Sequence, residues 1–379
     1  MRVRDNWREG HRPNNTLVRN GCTPLQCGDK YLHLQKPWTQ EEGHDMRTRQ
    51  FGDSGLETSA IGFGGWPMGR GQYGDLDDDE AISAVHAAFD GGITLYDTAA
   101  VYGWGYGETL MGKAIKDLKR EDIVLVTKGA REWKVDNSDN RSATVADSDP
   151  DLLRASIDAS LKRLQTDYID VFLIHWPDKG RPFSDPMEVL EEAKKAGKIR
   201  HTGVSNFSVP MMEESLQTSP IITEQIGYHI FDRRPEADVM PFVQSHGMGI
   251  MAYGSMAHGL LTGSWSPVQS FGEDDWRKGG ANFGIQNWGP EHLVANVAAV
   301  EKLKDIAADH GKTIAQLAIA WVLDNPTVSV ALAGAKKPSE IIEDMGGDWD
   351  LPAGLKETID NLVLGEGSGV GLSGMEIAT

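Results

Sequence analysis

Cysteine is nearly absent: the 379 residues hold two, Cys22 and Cys27, both near the N-terminus. Two thiols cannot staple a fold of this size, so the chain reads as one suited to a reducing, cytoplasmic interior. No apolar run approaches the roughly 18 residues that a membrane-spanning helix needs. Positive charge is also scarce, with 37 Lys and Arg against 56 Asp and Glu and a net charge of −19. That balance argues against nucleic acid or an anionic membrane as partner, because both are bound by clustered cations. What is present is an ordinary globular composition, 40% hydrophobic and 25% charged, which excludes disorder for most of the chain.

The first 45 residues stand apart. Arg2, Arg4, Arg8, Arg12 and Arg19 lie among Asn, Pro and Gly with no apolar periodicity. The apolar core of a secretory signal is missing, and the acidic residues fit a transit peptide poorly. Residues 1–45 therefore read as a poorly structured leader, with Met46 as the functional start. The alternatives are a small accessory arm or a Cys22–Cys27 redox or metal pair, the latter weakened by the lack of a nearby ligand pattern. Residues 366–379 read as a flexible, Gly-rich tail.

From 46 to 365, short apolar strands alternate with helical patterns. Strands are expected at 60–64, 93–98, 123–128, 170–175, 199–205, 222–228, 249–254 and 328–334. Helical patterns include 79–90, 151–164, 187–197, 297–309 and 313–324. Several strands are nearly continuous apolar runs, as in a parallel sheet buried on both faces. Eight strand–helix units in series predict an α/β fold, a single (β/α)8 TIM barrel. Residues 262–296, rich in Gly, Trp and Asp, predict a long functional loop after strand seven.

Gly69, Gly71 and Gly74 match G-x-G-x-x-G just after the first strand. Asp75, Asp77, Asp78, Asp79 and Glu80 follow and would repel a pyrophosphate at that helix terminus. The motif is read instead as a glycine turn leading to an acidic N-cap.

A stronger signal lies at the ends of strands two to four: Asp97, then Tyr102, Lys128 and His175. In a (β/α)8 barrel these ends surround one mouth, where active sites are built. Asp97 and Lys128 are natural partners across neighbouring strands. An ammonium beside Tyr102 would stabilise its phenolate and make the phenol a usable general acid. His175 could hydrogen-bond a substrate oxygen. Singly, His175 could be a satisfied core histidine and Asp97–Lys128 a structural ion pair; together, in this order, the four point to catalysis.

These residues sit in motifs that resemble the aldo-keto reductases. Residues 97–112, DTAAVYGWGYGETLMG, resemble the family signature D-T-A-x-x-Y-G-x-G-x-x-E-x-x-x-G. VTKG (126–129), LIHWPD (173–178), GVSNFS (203–208), EQIGYH (224–229), MAYGSMAHGLLTG (251–263) and AGAKKPSEIIEDM (333–345) follow in family order. The resemblance runs from about residue 46 to 363. It implies an NAD(P)H-dependent oxidoreductase that reduces an aldehyde or ketone, reversibly, with Tyr102 as proton donor, Lys128 and Asp97 tuning it, and His175 positioning the substrate. It further implies that Ser205, Asn206 and Gln225 hold the nicotinamide carboxamide and that Tyr253 stacks on its ring. Main-chain groups around Gly254, Ser255, Met256, Gly259 and Leu260 would approach the pyrophosphate. Gly334, Ala335, Lys336, Glu340 and Asp344 would meet the adenosine end. There the pattern departs: Ala333 replaces a common Pro, and Glu340 and Asp344 replace Gln or Arg and Asn. NADP(H) is the expected cofactor on the family pattern. The two carboxylates leave NAD(H) open, since a carboxylate near a ribose 2′-position favours a hydroxyl over a phosphate.

Trp66, Trp104, Trp133 and Trp176 each follow one of the first four strands and predict an aromatic-walled substrate pocket. Met68, Tyr106, Phe283 and Trp288 are expected to add to it. No pocket Lys or Arg stands out for an anionic substrate; Arg131 reads as a surface or ion-pair residue. Two other functions remain: a slow dinucleotide sensor or scaffold on the same fold, and a metal-dependent barrel hydrolase, for which His201, His229, His246 and His258 lack ligand spacing. No metal is expected, and nothing in the sequence sets the oligomeric state.

Overall fold

The structure is a computed structural model that describes residues 46–70, 76–133, 144–272, 275–279 and 287–365. The leader, the Gly-rich tail, Gly71, Gly74 and Phe283 lie outside the described residues, and Trp133 is placed by its main chain alone.

A hairpin of β1 (Thr48–Gln50) and β2 (Glu57–Ser59) opens the described chain. The strands β3 (Ile61–Gly64), β4 (Leu95–Asp97) and β5 (Val124–Gly129) follow. A second antiparallel hairpin joins β6 (Arg131–Trp133) to β7 (Thr144–Ala146). Then come β8 (Ile169–Ile174), β9 (Ile199–Ser205), β10 (Thr223–Gly227), β11 (Gly249–Tyr253) and β12 (Val328–Gly334). The eight strands β3–β5 and β8–β12 pair in parallel and close into a barrel, β12 against β3. Each of the eight overlaps a strand expected from the sequence.

Helices cover the outside: α1 (Asp78–Asp90), α2 (Tyr106–Ile115), α3 (Pro150–Leu164), α4 (Ser184–Lys195) and α5 (Val209–Leu216). The others are α6 (Val239–Ser245), α7 (Pro290–Asp309), α8 (Ile314–Leu323), α9 (Pro338–Met345) and α10 (Leu355–Leu364). Their starts have local causes. Asp77 caps α1 by accepting from the Asp79 and Glu80 N–H groups, with Asp78, Asp79 and Glu80 in the first turn; such a cap contributes about 1 kcal/mol. Thr313 and Gln316 form a reciprocal capping box on α8. The helix expected from 297 begins earlier, at Pro290, because proline at the first helical position has its φ preset and needs no N–H partner. The loop after β11 is correspondingly shorter than expected.

Inside the barrel, Leu95, Val124, Val126, Val171, Leu173, Met251 and Val330 pack together with Phe51 from the first hairpin. Their neighbours Tyr96, Leu125, Phe172 and Ile250 point the other way and bury against the helices. This alternation of faces along each strand is what places the site.

Candidate active site

Two residues beyond the inner apolar positions, still on the inner face, the side chains turn polar. Leu95 leads to Asp97, Val126 to Lys128, Leu173 to His175 and Met251 to Tyr253, and Gln225 lies two residues beyond the buried Thr223. All five therefore project at the carboxyl ends of the strands, at one mouth.

At its centre, Lys128 Nζ donates to both Asp97 oxygens and to the Thr98 carbonyl, each at 2.7 Å, and lies 3.4 Å from the Tyr102 hydroxyl. Gln225 Nε2 donates to Asp97 Oδ1 at 2.8 Å. Burial pushes the Asp97 carboxyl up and the Lys128 ammonium down, and each partner pulls the other back. Two ring contacts surround the phenol: Tyr102 meets His175 edge-on at 5.8 Å and stacks on Trp66 at 6.3 Å. Burial, with Lys128 and Arg131 nearby, holds the His175 imidazole well below its ordinary pKa, so the ring is neutral. Its Nδ1 has no protein partner among the described residues.

Tyr102 is presented by an unusual turn. Gly103, Trp104 and Gly105 have φ of 60°, 55° and 85°, all left-handed. A Cβ on Gly103 would lie 2.0 Å from the Gly69 carbonyl oxygen, and one on Gly69 would lie 2.9 Å from the Tyr102 and Gly103 main chain. Gly69 thus packs closely against the Tyr102 turn.

A cleft of about 750 Å³ opens over these groups. Trp66, Tyr102, Trp104, His175 and Trp176 line one part; Ser205, Asn206, Gln225 and Tyr253 line the next; Gly254–Met256, Gly259, Gly334, Lys336, Glu340 and Asp344 line the rest. Ser205 donates to the Gln225 carbonyl at 2.8 Å, Asn206 Nδ2 donates to Ser205 Oγ at 3.0 Å, and the Tyr253 hydroxyl donates to Asn206 Oδ1 at 2.8 Å. These bonds fix the amide groups, and Gln225 Oε1 receives no protein hydrogen bond among the described residues. An acceptor beside fixed hydroxyl and amide groups fits a primary carboxamide. A Cβ on Gly259 (φ 99°) would meet nothing nearer than Arg277 Nη1 at 3.7 Å, so that main chain borders open cleft, as a pyrophosphate cradle requires. The cleft thus fits an extended nicotinamide dinucleotide. At its far end, Glu340 accepts the Lys336 N–H at 2.7 Å, and burial pushes the Asp344 carboxyl well above its usual range.

Some expected residues lie elsewhere. Met68 is fully buried in the outer core and does not line the cleft. Trp288 is 3% exposed and packs edge-on to Trp265 at 4.9 Å; Trp265, which was not anticipated, is the one at the cleft. Tyr106 donates its hydroxyl to Asp78 beneath the Arg70 guanidinium and is also outside the lining. Leu260 and Ala335 have fully buried side chains and are not among the lining residues, so only their main chain can take the part expected of them. Arg131, expected at the surface or in an ion pair, lines the cleft and pairs with no carboxylate among the described residues. Its signal in the sequence was position, three residues past Lys128.

The aldo/keto reductase family matches residues 60–346. The aldo-keto reductase YhdN of Bacillus subtilis is 39% identical over 322 residues, covering 84% of this chain and 94% of that protein. The NADH-specific methylglyoxal reductase of Escherichia coli is 31% identical, covering 79% and 93%. Among solved structures, the glycerol dehydrogenase AKR11B4 from Gluconobacter oxydans superposes with a TM-score of 0.75 at 32% identity, covering 83% and 94%. The chain therefore belongs to the aldo/keto reductase family, and its chemistry is the NAD(P)H-dependent reduction of a carbonyl group.

Proposed function

We propose that Tyr102 is the general acid of this reduction, with Lys128 and Asp97 as its electrostatic support and His175 as the group that orients the carbonyl. The observation that carries this reading is the contact of one buried ammonium with both the Asp97 carboxylate and the Tyr102 hydroxyl. A cation 3.4 Å from the phenol oxygen stabilises the phenolate left when the proton passes to the substrate oxygen. A neutral His175 can donate one N–H to that same oxygen without competing for its proton. When bound, the reduced nicotinamide supplies hydride to the carbonyl carbon. Ser205, Asn206 and Gln225 would grip its carboxamide and Tyr253 its ring, which decides the ring face that meets the substrate. Trp66, Trp104 and Trp176 would exclude water and hold an apolar or flat substrate.

NADP(H) is the proposed cofactor, with Lys336 near the 2′-phosphate. NAD(H) is the second reading, favoured by Glu340, Glu343 and Asp344 on the lining of that end. The catalytic unit is residues 46–365, in the cytoplasm, with residues 1–45 accessory to it; deletion of 1–45 should leave turnover intact. Rates of NADPH and NADH oxidation with a reactive aromatic aldehyde test the whole reading. Tight dinucleotide binding without turnover of any aldehyde would favour the sensor instead.

A further inference from the structure

We infer that Arg131 is a substrate-binding residue and that the carbonyl substrate carries a carboxylate; this rests on the carbonyl-reductase reading above. Immediately after β5, Ala130 takes a left-handed φ of 58°, a conformation costing roughly 1 kcal/mol for a residue with a Cβ. The turn ends the barrel strand and starts β6 on Arg131, whose side chain borders the same cleft as Tyr102, His175 and Trp176.

What Arg131 lacks is more telling than what it touches. Its Nε donates to Thr144 Oγ1 at 2.6 Å, and its guanidinium carbon lies 5.3 Å from the Trp176 ring centroid. Neither terminal nitrogen has a protein acceptor among the described residues. Nearly every other described arginine has a carboxylate: Arg70 has Asp78, Arg163 has Glu108, Arg234 has Asp232 and Arg277 has Asp275. Arg49 is the exception, and it spends its donors on the main-chain carbonyls of Leu323, Asn325 and Val328.

A half-buried cation with two nitrogens that no described residue pairs, in a chain of net charge −19, is costly unless something pairs with it. Two parallel N–H donors match the two oxygens of a carboxylate. The Trp176 ring, over which the guanidinium lies, lines the same cleft. The charge of Arg131 also acts on Tyr102 and His175, so the anion it binds sits close to the reacting carbonyl. Because the whole molecule repels anions at long range, the discrimination must come from short-range contact inside the cleft.

The test uses the full-length protein with 4-carboxybenzaldehyde and its methyl ester as substrates. The corresponding benzyl alcohols serve as binding probes, read by tryptophan fluorescence without turnover. Wild type should bind the acid about 10- to 100-fold more tightly than the ester. Arg131→Met should erase that ratio, and Arg131→Lys should keep part of it. The kcat/KM ratio of acid to ester should fall in parallel, mainly through KM. Equal affinity in wild type, or a preference that survives in Arg131→Met, overturns the inference. Failure to turn over either aldehyde would count against the reductase reading, while the binding ratio would still decide the role of Arg131.

Discussion

The Lys128 ammonium lies 2.7 Å from both Asp97 oxygens and 3.4 Å from the Tyr102 hydroxyl, so one buried cation serves a carboxylate and a phenol together. Lys128→Met should fail on both sides. Asp97 would be left as a buried charge without its partner, a loss of roughly 3–5 kcal/mol in stability. Asp97→Asn combined with Lys128→Met should recover much of the Tm but not the kcat. Calorimetry and steady-state rates on the same samples separate the two effects; a double variant that regains turnover would reduce Lys128 to a folding residue.

Tyr102→Phe removes only the hydroxyl and keeps the ring against Trp66 and His175. Reduction should drop by about 10²- to 10⁴-fold, the usual span for losing a general acid. Dinucleotide affinity, followed by fluorescence titration, should change little, because the proposed carboxamide contacts are with Ser205, Asn206 and Gln225 and not with Tyr102. Near-normal turnover would move the proton donor elsewhere.

Much of this was legible because two periodicities agree. The barrel follows from eight apolar runs separated by helical patterns, and Asp97, Lys128 and His175 follow from charged or polar residues closing those runs, with Tyr102 in the loop after the second. Less legible was which residues face the cleft. Met68 and Trp288 look like wall residues by their position after a strand, yet both are drawn into the outer core. Side chains in irregular loops have no period to fix their direction, so hydrophobic burial decides it. Arg131 was misread for the complementary reason. A surface ion pair is the ordinary fate of an arginine, and only tertiary geometry shows that no described carboxylate pairs with Arg131. The start of α7 at Pro290 was missed because its first turn carries little apolar pattern.

The adenosine end gives a cofactor prediction. Glu340 lines the cleft while accepting the Lys336 N–H, a bond that a glutamine oxygen can also accept. Glu340→Gln should therefore remove a negative charge without unravelling the turn. Binding of NADPH relative to NADH should strengthen by about 5- to 10-fold, roughly 1 kcal/mol. Calorimetric titration of both nucleotides reads this directly; an unchanged ratio would confine Glu340 to capping the turn.

His229 is fully buried, its Nδ1 accepting the Phe231 N–H, with His258, Asp232 and Arg234 around it. Burial lowers its pKa to about 4. Below pH 6.5 the unfolded chain takes up a proton that the folded ring refuses, so stability is complete above that pH and falls as pH drops toward 4. At about 1.4 kcal/mol per pKa unit, the loss reaches roughly 2–3 kcal/mol near pH 4.5. His229→Gln, which can still accept the Phe231 N–H, should lose less Tm than wild type between pH 7.5 and 4.5. Parallel losses would mean that His258 or another group carries the acid sensitivity.

Glu224 gives the opposite sign. It is fully buried, one oxygen accepting the Phe207 N–H at 3.0 Å and the other without a partner among the described residues, and burial raises its carboxyl well above the usual range. The folded state then keeps a proton that the unfolded glutamate has released, so this contribution is complete below about pH 4.5 and declines as pH rises. Glu224→Gln presents the same shape with no proton to lose. Its Tm should exceed that of wild type by more at pH 8 than at pH 5. Glu224→Ala should be less stable at both values, because the Phe207 N–H loses its acceptor and a cavity opens. The position matters beyond stability: Glu224 precedes Gln225, and Phe207 follows Asn206, so the bond between them fixes the main chain under two cleft-lining amides. A Glu224→Gln variant less stable than wild type at pH 8 would show that the carboxylate is ionised in the folded protein and that burial does not control its proton.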